Sequence, residues 1–352
     1  MLRFEHETLG QRVRFAPGGA AEAVTEEVEH LGATAVMVLA GRGRSEVATR
    51  VTAGLPVAVV HDDVVMHVPV ETAERAREAA SVHGVDALVC VGGGSTTGLA
   101  KAVALTTGLP IVAVPTTYAG SEATSVWGLT EGNTKTTGVD PRVLPRAVVY
   151  DATLMLSLPV ELSVTSGLNA LAHCVDSMWA ERADPINATL AAEGIRALAD
   201  GLPQVVAAPQ ELDGRELSMF GAYLSAVAFA SAGSGLHHKI CHVLGGRYGL
   251  PHAPTHAVVL PHVLALNAPA APDAERRIAE ALGADDALGG LLALGRVLDA
   301  PTALRDFGFE ESQVTDAVDA ILPVVPRSNP APVTAAGLER LLRAAWAGDP
   351  PG

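Results

Sequence analysis

The chain has 352 residues and a formal net charge of −15, and 49% of its residues are hydrophobic. This composition is typical of a globular protein with a large core, and the negative charge argues against an extended electrostatic surface for nucleic acid or for an anionic membrane. Three scattered cysteines, an acidic N-terminus and the lack of a long apolar run favour a cytoplasmic protein with no membrane partner.

The first part of the chain alternates between short apolar runs and helical periodicity. The apolar runs predict strands at 35–40, 57–60, 87–91, 111–114 and 147–150. The stretches between them predict helices at 20–31, 45–53, 70–83 and 96–107. Continuous apolar strands separated by helices indicate a parallel sheet covered on both faces. We therefore expect an α/β nucleotide-binding domain over residues 1–153.

The strand signal is absent from the rest of the chain. Long segments rich in Ala and Leu have helical periodicity at 166–181, 186–202, 217–230, 274–282 and 288–299. Breaks that contain proline separate several of them. Residues 154–352 are therefore predicted to form an all-helical domain.

A glycine-rich turn follows the strand predicted at 87–91. Gly92, Gly93 and Gly94 would let the backbone approach a phosphate, and the helix that follows favours negative charge at its N-terminus. Ser95 adds a hydroxyl donor. The turn is neither G-x-G-x-x-G, which would need glycine at Thr97, nor a P-loop. We expect a phosphate-binding turn, and the alternative is a tight turn without a ligand.

The next predicted strand ends in a second polar loop. Thr116, Thr117, Tyr118 and Ser121 follow it. The carboxyl ends of neighbouring parallel strands meet where such sheets bind ligands, so these residues are candidate cofactor contacts. An ordinary polar loop is the alternative. Lys135, in the loop at 132–138, is a candidate contact for ribose or phosphate.

Histidines are concentrated in one part of the helical region. Six of the 12 lie within residues 237–262, namely His237, His238, His242, His252, His256 and His262. A spacing of four residues places His238 and His242 on one helix face, and Asn169 and His173 have the same spacing upstream. Such a cluster predicts a divalent metal site or a proton relay, although any one histidine can also be an ordinary core or surface residue.

The order of these motifs resembles that of the iron-containing (group III) alcohol dehydrogenase family over residues 10–265. The resemblance implies a Rossmann-like parallel sheet domain followed by an all-α catalytic domain, which is a dehydroquinate synthase-like architecture. It also implies NADH or NADPH as the cofactor and a homodimer as the assembly.

Several positions depart from the metal-dependent members of that family. Asn169 and Gly98 stand where those members usually have Asp, Ala253 stands where they have Gly, and His256 is a histidine where many have none. These features resemble the maleylacetate reductase branch. That branch implies reduction of the C=C bond of maleylacetate, a small dicarboxylate, to 3-oxoadipate in the degradation of aromatic compounds.

The resemblance assigns the metal ligands of the family to Asn169, His173, His238 and His252. Because Asn169 carries no charge, we expect that catalysis does not require Fe or Zn. If a metal binds, His173, His238 and His252 are its candidate ligands.

The same resemblance suggests roles for individual residues. His242 is the expected proton donor and His238 the expected partner of the developing enolate oxygen. The remaining candidates that shape the pocket are His173, His252, His256 and Asn169. Candidate cations for the substrate carboxylates are Lys239, Arg247, Arg142 and Arg146.

The nucleotide is expected to contact Lys101 and Lys135. An acidic residue after the first strand would bind the ribose 2′-hydroxyl of NADH and repel the 2′-phosphate of NADPH. Here Arg42 and Arg44 follow the first predicted strand without an acidic residue, so we expect NADPH to be tolerated alongside NADH.

Other functions remain open at this point. A metal-dependent alcohol or polyol dehydrogenase would use the same motifs. A lyase of the dehydroquinate synthase type would use NAD without net oxidation. A nucleotide- or metal-sensing module would explain the glycines and the histidines separately, but it gives no reason for both in one ordered series.

Overall fold

The computed structural model describes residues 3–132 and 134–352, and the side chains of residues 134 and 135 lie outside that description. The chain divides into two compact units. The sheet unit comprises residues 9–158, and the helical unit comprises residues 159–352 together with residues 3–8. The sequence predicts the boundary after residue 153, whereas the short 3-10 helix Ala152–Met155 places Leu154 in the core of the sheet unit.

A six-stranded parallel sheet forms the centre of the sheet unit, with the strand order β1-β8-β5-β4-β2-β3. Its strands are β1 (Arg12–Phe15), β2 (Val36–Leu39), β3 (Val57–His61), β4 (Ala87–Gly92), β5 (Ile111–Pro115) and β8 (Ala147–Tyr150). A separate antiparallel hairpin consists of β6 (Val126–Glu131) and β7 (Thr134–Val139). The five predicted strands are confirmed, while β1 and the hairpin have no counterpart in the prediction.

Four helices belong to the sheet unit: α1 (Ala20–His30), α2 (Ser45–Val51), α3 (Val70–Val82) and α4 (Gly94–Thr107). Strands β4 and β5 are buried along their whole length. Small aliphatic side chains, chiefly Val and Ala, fill the core between α1, α2 and the sheet. Because β4 is an inner strand, the turn that follows it lies at the carboxyl edge of the sheet beside the end of β5.

The described part of the helical unit contains nine α-helices of different lengths. They are α5 (Val160–Ser177), α6 (Pro185–Ala207), α7 (Asp213–Ala232), α8 (Leu236–Tyr248), α9 (His252–Asn267), α10 (Pro272–Leu282), α11 (Ala287–Val297), α12 (Val314–Ile321) and α13 (Ala335–Ala347). Helices α6 and α7 approach closely, since a Cβ on Gly201 would lie 3.0 Å from the carbonyl oxygen of Gly214. The predicted all-helical domain is confirmed.

Residues at the centre of the helical unit come from α8, α9, α12 and α13, which share an apolar core. Within the described ranges, no single helix is long and apolar enough to cross a membrane. The three cysteines are buried and free.

Candidate functional site

The glycine-rich turn joins β4 directly to α4. Gly93 is the N-cap residue of α4, and no side chain caps the first turn of this helix. A Cβ on Gly92 would lie 2.3 Å from Thr96 Oγ1, and a Cβ on Gly93 would lie 2.8 Å from Thr117 Cγ2. Glycine is therefore required at both positions by neighbouring protein atoms, and the uncapped N-terminus of α4 faces the same turn.

The structure brings the two predicted cofactor loops together. Gly92 is the register partner of Pro115, and the Thr116 N–H donates to the Gly92 carbonyl at 3.0 Å. The Thr117 side chain lies against Gly93. Ser95 and Ser121 are partly exposed near these segments, so their hydroxyls can reach a ligand. The side chain of Tyr118, another predicted cofactor contact, is fully buried.

Lys101 does not occupy the predicted nucleotide position. It is fully buried, and its ammonium donates to Thr124 O at 2.8 Å, to Thr124 Oγ1 at 3.0 Å and to Val126 O at 2.8 Å. Burial lowers the pKa of Lys101 to about 7. The three bonds use its three donors, so Lys101 ties the start of β6 to α4. The side chain of Lys135, the other predicted lysine contact, lies outside the described part of the structure.

Arg42 and Arg44 both have protein partners. Arg42 Nε lies 3.3 Å from Asp62 Oδ2, and Arg44 donates to the Ser157 hydroxyl. Asp62 directly follows β3, so this edge of the sheet carries a carboxylate as well as the arginines. The tolerance of NADPH therefore stays a prediction.

The helical unit brings together the predicted polar residues of α5, α8 and α9. We call them the histidine cluster: Asn169, His173, His237, His238, His242, His252 and His256. The ring centroids of His173 and His238 are 4.8 Å apart, and those of His238 and His256 are also 4.8 Å apart. The ring centroids of His252 and His256 are 4.3 Å apart. The structure therefore brings the predicted histidines together, and their role stays a prediction.

The histidine cluster has an exposed layer and a buried layer. His242 and His252 are exposed, while Asn169, His173 and His238 are buried. Burial lowers the pKa of His173 to about 3, and it lowers the pKa of His238 well below the usual value. Neighbouring histidines add to both effects through like-charge repulsion. The buried imidazoles are therefore neutral at pH 7.

Two further histidines belong to the buried layer of the cluster. His256 and His237 are fully buried, and burial lowers the pKa of His256 well below its usual value and that of His237 to about 4. His262 is also buried on α9, and burial lowers its pKa to about 4. No ring contact joins His262 to the histidine cluster across the residues that the structure describes, so it is a core histidine.

Asp176 is a buried carboxylate that the sequence analysis missed. Its Oδ2 accepts hydrogen bonds from the Gly235 N–H at 3.0 Å and from the His238 N–H at 3.2 Å, and it lies 2.7 Å from His238 Nδ1. Burial raises the pKa of Asp176 to about 7, against the lowering effect of the backbone donors. The signal was present in the sequence, because Asp176 follows His173 by three residues on the same helix.

Several polar atoms in the buried layer have no hydrogen-bond partner in the described structure. They include Asn169 Oδ1, His173 Nδ1 and His238 Nε2. Neutral imidazole nitrogens and a carboxamide oxygen are ligand types that divalent cations accept, so the donor chemistry fits a metal. The groups whose ligand atoms all lie within 4.8 Å of one another are His237–Cys241–His256 and Asp176–His237–His238. The predicted trio of His173, His238 and His252 is not one of these groups.

The predicted substrate cations differ in their surroundings. Arg247 forms an ion pair with Asp316, in which Nη2 lies 2.6 Å from Oδ1. Arg142 forms an ion pair with Asp140, in which Nη2 lies 2.6 Å from Oδ2. Arg146 is exposed on the sheet unit. Arg142 and Arg247 are thus paired with carboxylates, whereas no ion pair is seen for Lys239 or Arg146 in the described part of the chain.

Lys239 lines a pocket of about 200 Å³ together with Arg182, Ser234 and Glu181. Lys239 has no ion pair within the described ranges. Arg182, which the sequence analysis missed, donates through Nε to the Ser231 carbonyl at 2.8 Å. The pocket therefore combines two cations and one carboxylate.

Comparison with known proteins covers both units of the chain. The family model described as iron-containing alcohol dehydrogenase matches residues 10–152, and the model for the C-terminal part of the Fe-containing alcohol dehydrogenase family matches residues 163–346. A maleylacetate reductase from Pseudomonas sp. (strain P51) is 43% identical over 352 residues, which cover 99% of each chain.

Solved structures show the same similarity. An iron-containing alcohol dehydrogenase from Corynebacterium glutamicum is 60% identical, with a TM-score of 0.98 over 100% of this chain and 99% of that one. A maleylacetate reductase from Agrobacterium tumefaciens is 39% identical, with a TM-score of 0.95 over 100% of both chains. The likeness therefore extends over the whole fold.

Proposed function

This chain belongs to the iron-containing alcohol dehydrogenase family, and on that premise we propose that it reduces the C=C bond of maleylacetate with NADH or NADPH to give 3-oxoadipate. The observation that carries the proposal is the full-length similarity to proteins named maleylacetate reductase, at 43% identity over 99% of the chain. The histidine cluster with uncharged Asn169 supports it. An alcohol or polyol dehydrogenase of the same family is the weaker alternative.

The reaction adds a hydride and a proton across a double bond that is conjugated to a ketone. A dinucleotide held at the turn between β4 and α4 would supply the hydride for the alkene carbon farther from the ketone, and the electron pair of the C=C bond would move toward the ketone to form an enolate. A proton then adds to the carbon next to the ketone, and NAD(P)⁺ is released. We assign this proton to His242, because it is the exposed histidine of α8 and histidine is the most common general acid in enzymes.

The dinucleotide is held at the turn between β4 and α4. The uncapped N–H groups at the start of α4 attract the pyrophosphate, and the Thr116–Thr117 segment lies against the same turn. Ser95 and Ser121 add hydroxyl donors. The glycines act indirectly, since they let the two loops pack closely enough to form one surface.

Lys239 and Arg182 are the proposed partners of a substrate carboxylate. They line one pocket, and Lys239 directly follows His238 in the sequence. A few placed cations can bind a small dianion although the protein as a whole carries −15. Glu181 at the same pocket opposes a second negative charge nearby, so we assign one carboxylate to this place.

The family resemblance assigns a divalent metal to Asn169, His173, His238 and His252, although the three histidines do not form one of the close ligand groups of the described structure. A bound cation would act as a Lewis acid toward the substrate oxygen. The expectation that catalysis proceeds without it rests on the uncharged ligand set and on the delocalised charge of an enolate. That expectation stays a prediction, and so do the homodimer and the cytoplasmic location.

The decisive experiment measures NADH and NADPH consumption by the purified protein with maleylacetate and, separately, with simple ketones and diols. The proposal expects rapid consumption with maleylacetate and 3-oxoadipate as the product. Turnover of simple alcohols or ketones alone would favour the alcohol dehydrogenase. A lyase of the dehydroquinate synthase type would show product formation without net change in NADH.

A further inference from the structure

We propose that Asp176 is a positioning residue that keeps His238 protonated at Nδ1 and unprotonated at Nε2. The His238 side chain then presents a lone pair to the site, so it accepts a hydrogen bond or binds a cation and does not donate to the substrate. This assignment replaces the expectation that His238 stabilises the enolate oxygen as a donor. It rests on the geometry around Asp176, while its meaning for catalysis rests on the proposed function.

The direction of the Asp176–His238 hydrogen bond follows from the other donors at the same oxygen. Asp176 Oδ2 accepts from the backbone N–H groups of Gly235 and His238, at 3.0 Å and 3.2 Å. A backbone N–H can only donate, so Oδ2 acts as an acceptor. A proton on Oδ2 would compete with these two N–H groups for the same oxygen, so we assign the hydrogen to the third partner, His238 Nδ1, at 2.7 Å. A proton on this carboxyl group would lie on Oδ1 and would not change that direction.

A neutral imidazole carries one N–H, so protonation of Nδ1 leaves Nε2 bare. The His238 side chain is only 2% exposed, and a second proton on the ring at Nε2 would have no acceptor among the described residues. His238 Nε2 is itself buried and has no hydrogen-bond partner in the described structure. The lone pair therefore points at a place that a donor or a cation can fill.

The surroundings hold the His238 ring in this orientation. The His238 ring stacks on the His173 ring, with an angle of 18° between their planes. It also contacts the Phe229 ring, and the centroids of these two rings are 4.5 Å apart. Gly235 is needed beside the carboxylate, because a Cβ there would lie 2.4 Å from Asp176 Oδ1. Packing and the hydrogen bond thus act together, as carboxylate partners of functional histidines do in general.

Asn169 Oδ1 is a second buried acceptor without a partner in the described residues. Together, Asn169 Oδ1 and His238 Nε2 make the buried layer of the histidine cluster a surface that accepts hydrogen bonds. A dicarboxylate substrate offers no donor to such a surface at neutral pH. We therefore infer that a water molecule or a cation bridges these acceptors to the substrate, and that proton donation comes from the exposed layer.

The test reads the tautomer directly in the full-length protein without substrate. Histidine labelled with ¹⁵N is followed by long-range ¹H–¹⁵N NMR, and the His238 signals are assigned by their loss in His238→Gln. The expected spectrum has a protonated nitrogen at Nδ1 and an unprotonated nitrogen at Nε2. A protonated Nε2 in the wild type would overturn the proposal. This result does not depend on maleylacetate, so it stands or falls separately from the proposed function.

Two variants test whether Asp176 is responsible. Asp176→Asn retains an oxygen acceptor and should keep the wild-type tautomer, whereas Asp176→Ala removes the acceptor and should populate Nε2–H. We expect Asp176→Ala to lose activity about 10- to 100-fold in kcat and Asp176→Asn to recover most of it. Equal losses in both variants, or an unchanged tautomer in Asp176→Ala, would show that Asp176 does not position the ring. If Asp176→Ala fails to fold, the wild-type and Asp176→Asn spectra still decide.

Discussion

The rings of His242 and His252 stack with their centroids 6.5 Å apart and their planes within 16°. The two side chains come from different helices, α8 and α9, and both are exposed. Beneath them lies the buried, neutral layer of the histidine cluster. Within the residues that the structure describes, His242 and His252 are therefore the histidines of the cluster that solvent reaches.

His242→Ala tests the assignment of the proton donor. We expect kcat for maleylacetate to fall about 10²- to 10⁴-fold with little change in the KM for NADH, because a general acid acts on the transition state and not on cofactor binding. Steady-state kinetics at several pH values check this. Arg247→Ala is the matched control, since Arg247 lies on the same helix and bonds Asp316 instead of the cluster. Near-normal kcat in His242→Ala would remove His242 from the mechanism.

The sequence predicted five strands of the parallel sheet and missed β1, one of its two edge strands. Strands β4 and β5 are buried on both faces, so they read as continuous apolar runs. Strand β1 contains Arg12 and Arg14, which pair with Glu27 and Glu26 of α1. Its partner β8 lies far away in the chain, with Arg12 opposite Ala147. No local pattern of four residues reveals such a pairing.

The sequence predicted those parts of the candidate site in which the spacing of residues along a helix brings side chains together. The four-residue spacings on α5 and α8 correctly joined His173 to His238. They gave no information on burial, so the exposed and buried layers and the role of Asp176 became visible only in three dimensions. The same limit explains Lys101, whose position after the glycine turn suggested a phosphate contact although its ammonium bonds Thr124 and Val126.

Gly93→Ala should weaken binding of NADH and NADPH. The new Cβ would lie 2.8 Å from Thr117 Cγ2 and 3.0 Å from Thr117 Oγ1, so the two loops must separate. We expect roughly a tenfold rise in Kd, about 1.4 kcal/mol, measured by quenching or enhancement of NADH fluorescence.

Thr117→Ala provides the control for this steric argument. It removes both atoms that the new Cβ would meet, and the remaining Thr117 Cβ atom lies 3.6 Å away. The penalty of Gly93→Ala should therefore disappear in the Thr117→Ala background. An equal penalty in both backgrounds would mean that Gly93 is needed for the approach of the phosphate and not for packing.

Lys239→Ala and Arg182→Ala test the proposed carboxylate partner. Each should raise the KM for maleylacetate about five- to tenfold, near 1 kcal/mol, because the pocket is partly open to solvent and charges there are screened. The KM for NADH should not change. Arg247→Ala again serves as the control, and a dicarboxylate KM that is the same in all three variants would place the subsite elsewhere.

Asn169→Asp tests the metal question with a readout other than activity. A carboxylate at this buried position, where Asn169 Oδ1 has no partner within the described part of the chain, adds the negative charge that a divalent ion favours. We expect calorimetry to show much tighter Zn²⁺ binding than in the wild type.

The wild type is assayed in parallel after exhaustive chelation. Unchanged turnover of maleylacetate there would support the expectation that no metal is required. Loss of activity that Fe²⁺ or Zn²⁺ restores would refute it.

Acid should destabilise the fold through its buried histidines. His173, His237 and His262 have pKa values lowered by burial to about 3, 4 and 4, and those of His238 and His256 are also well below the usual value. The unfolded chain takes up these protons near pH 6.5, whereas the folded chain takes them up only at lower pH. Since the unfolded state binds more protons in this window, stability falls as the pH falls through it.

Two buried carboxyl groups act in the opposite sense. Burial raises the pKa of Asp176 to about 7 and also raises the pKa of Glu122, so each of them favours the folded state as the pH falls. They are outnumbered by the five histidines, and the net effect of acid is therefore a loss of stability. Urea unfolding between about pH 4 and pH 7 measures this slope.

His262→Gln isolates one of these histidines outside the cluster. It should flatten the dependence of the unfolding free energy on pH by at most about 1.4 kcal/mol per pH unit, because one proton fewer is taken up on unfolding. His83→Gln is the control, since the His83 side chain is exposed and should leave the slope unchanged. If both variants keep the wild-type slope, His262 is protonated in the folded protein, and burial does not set its charge.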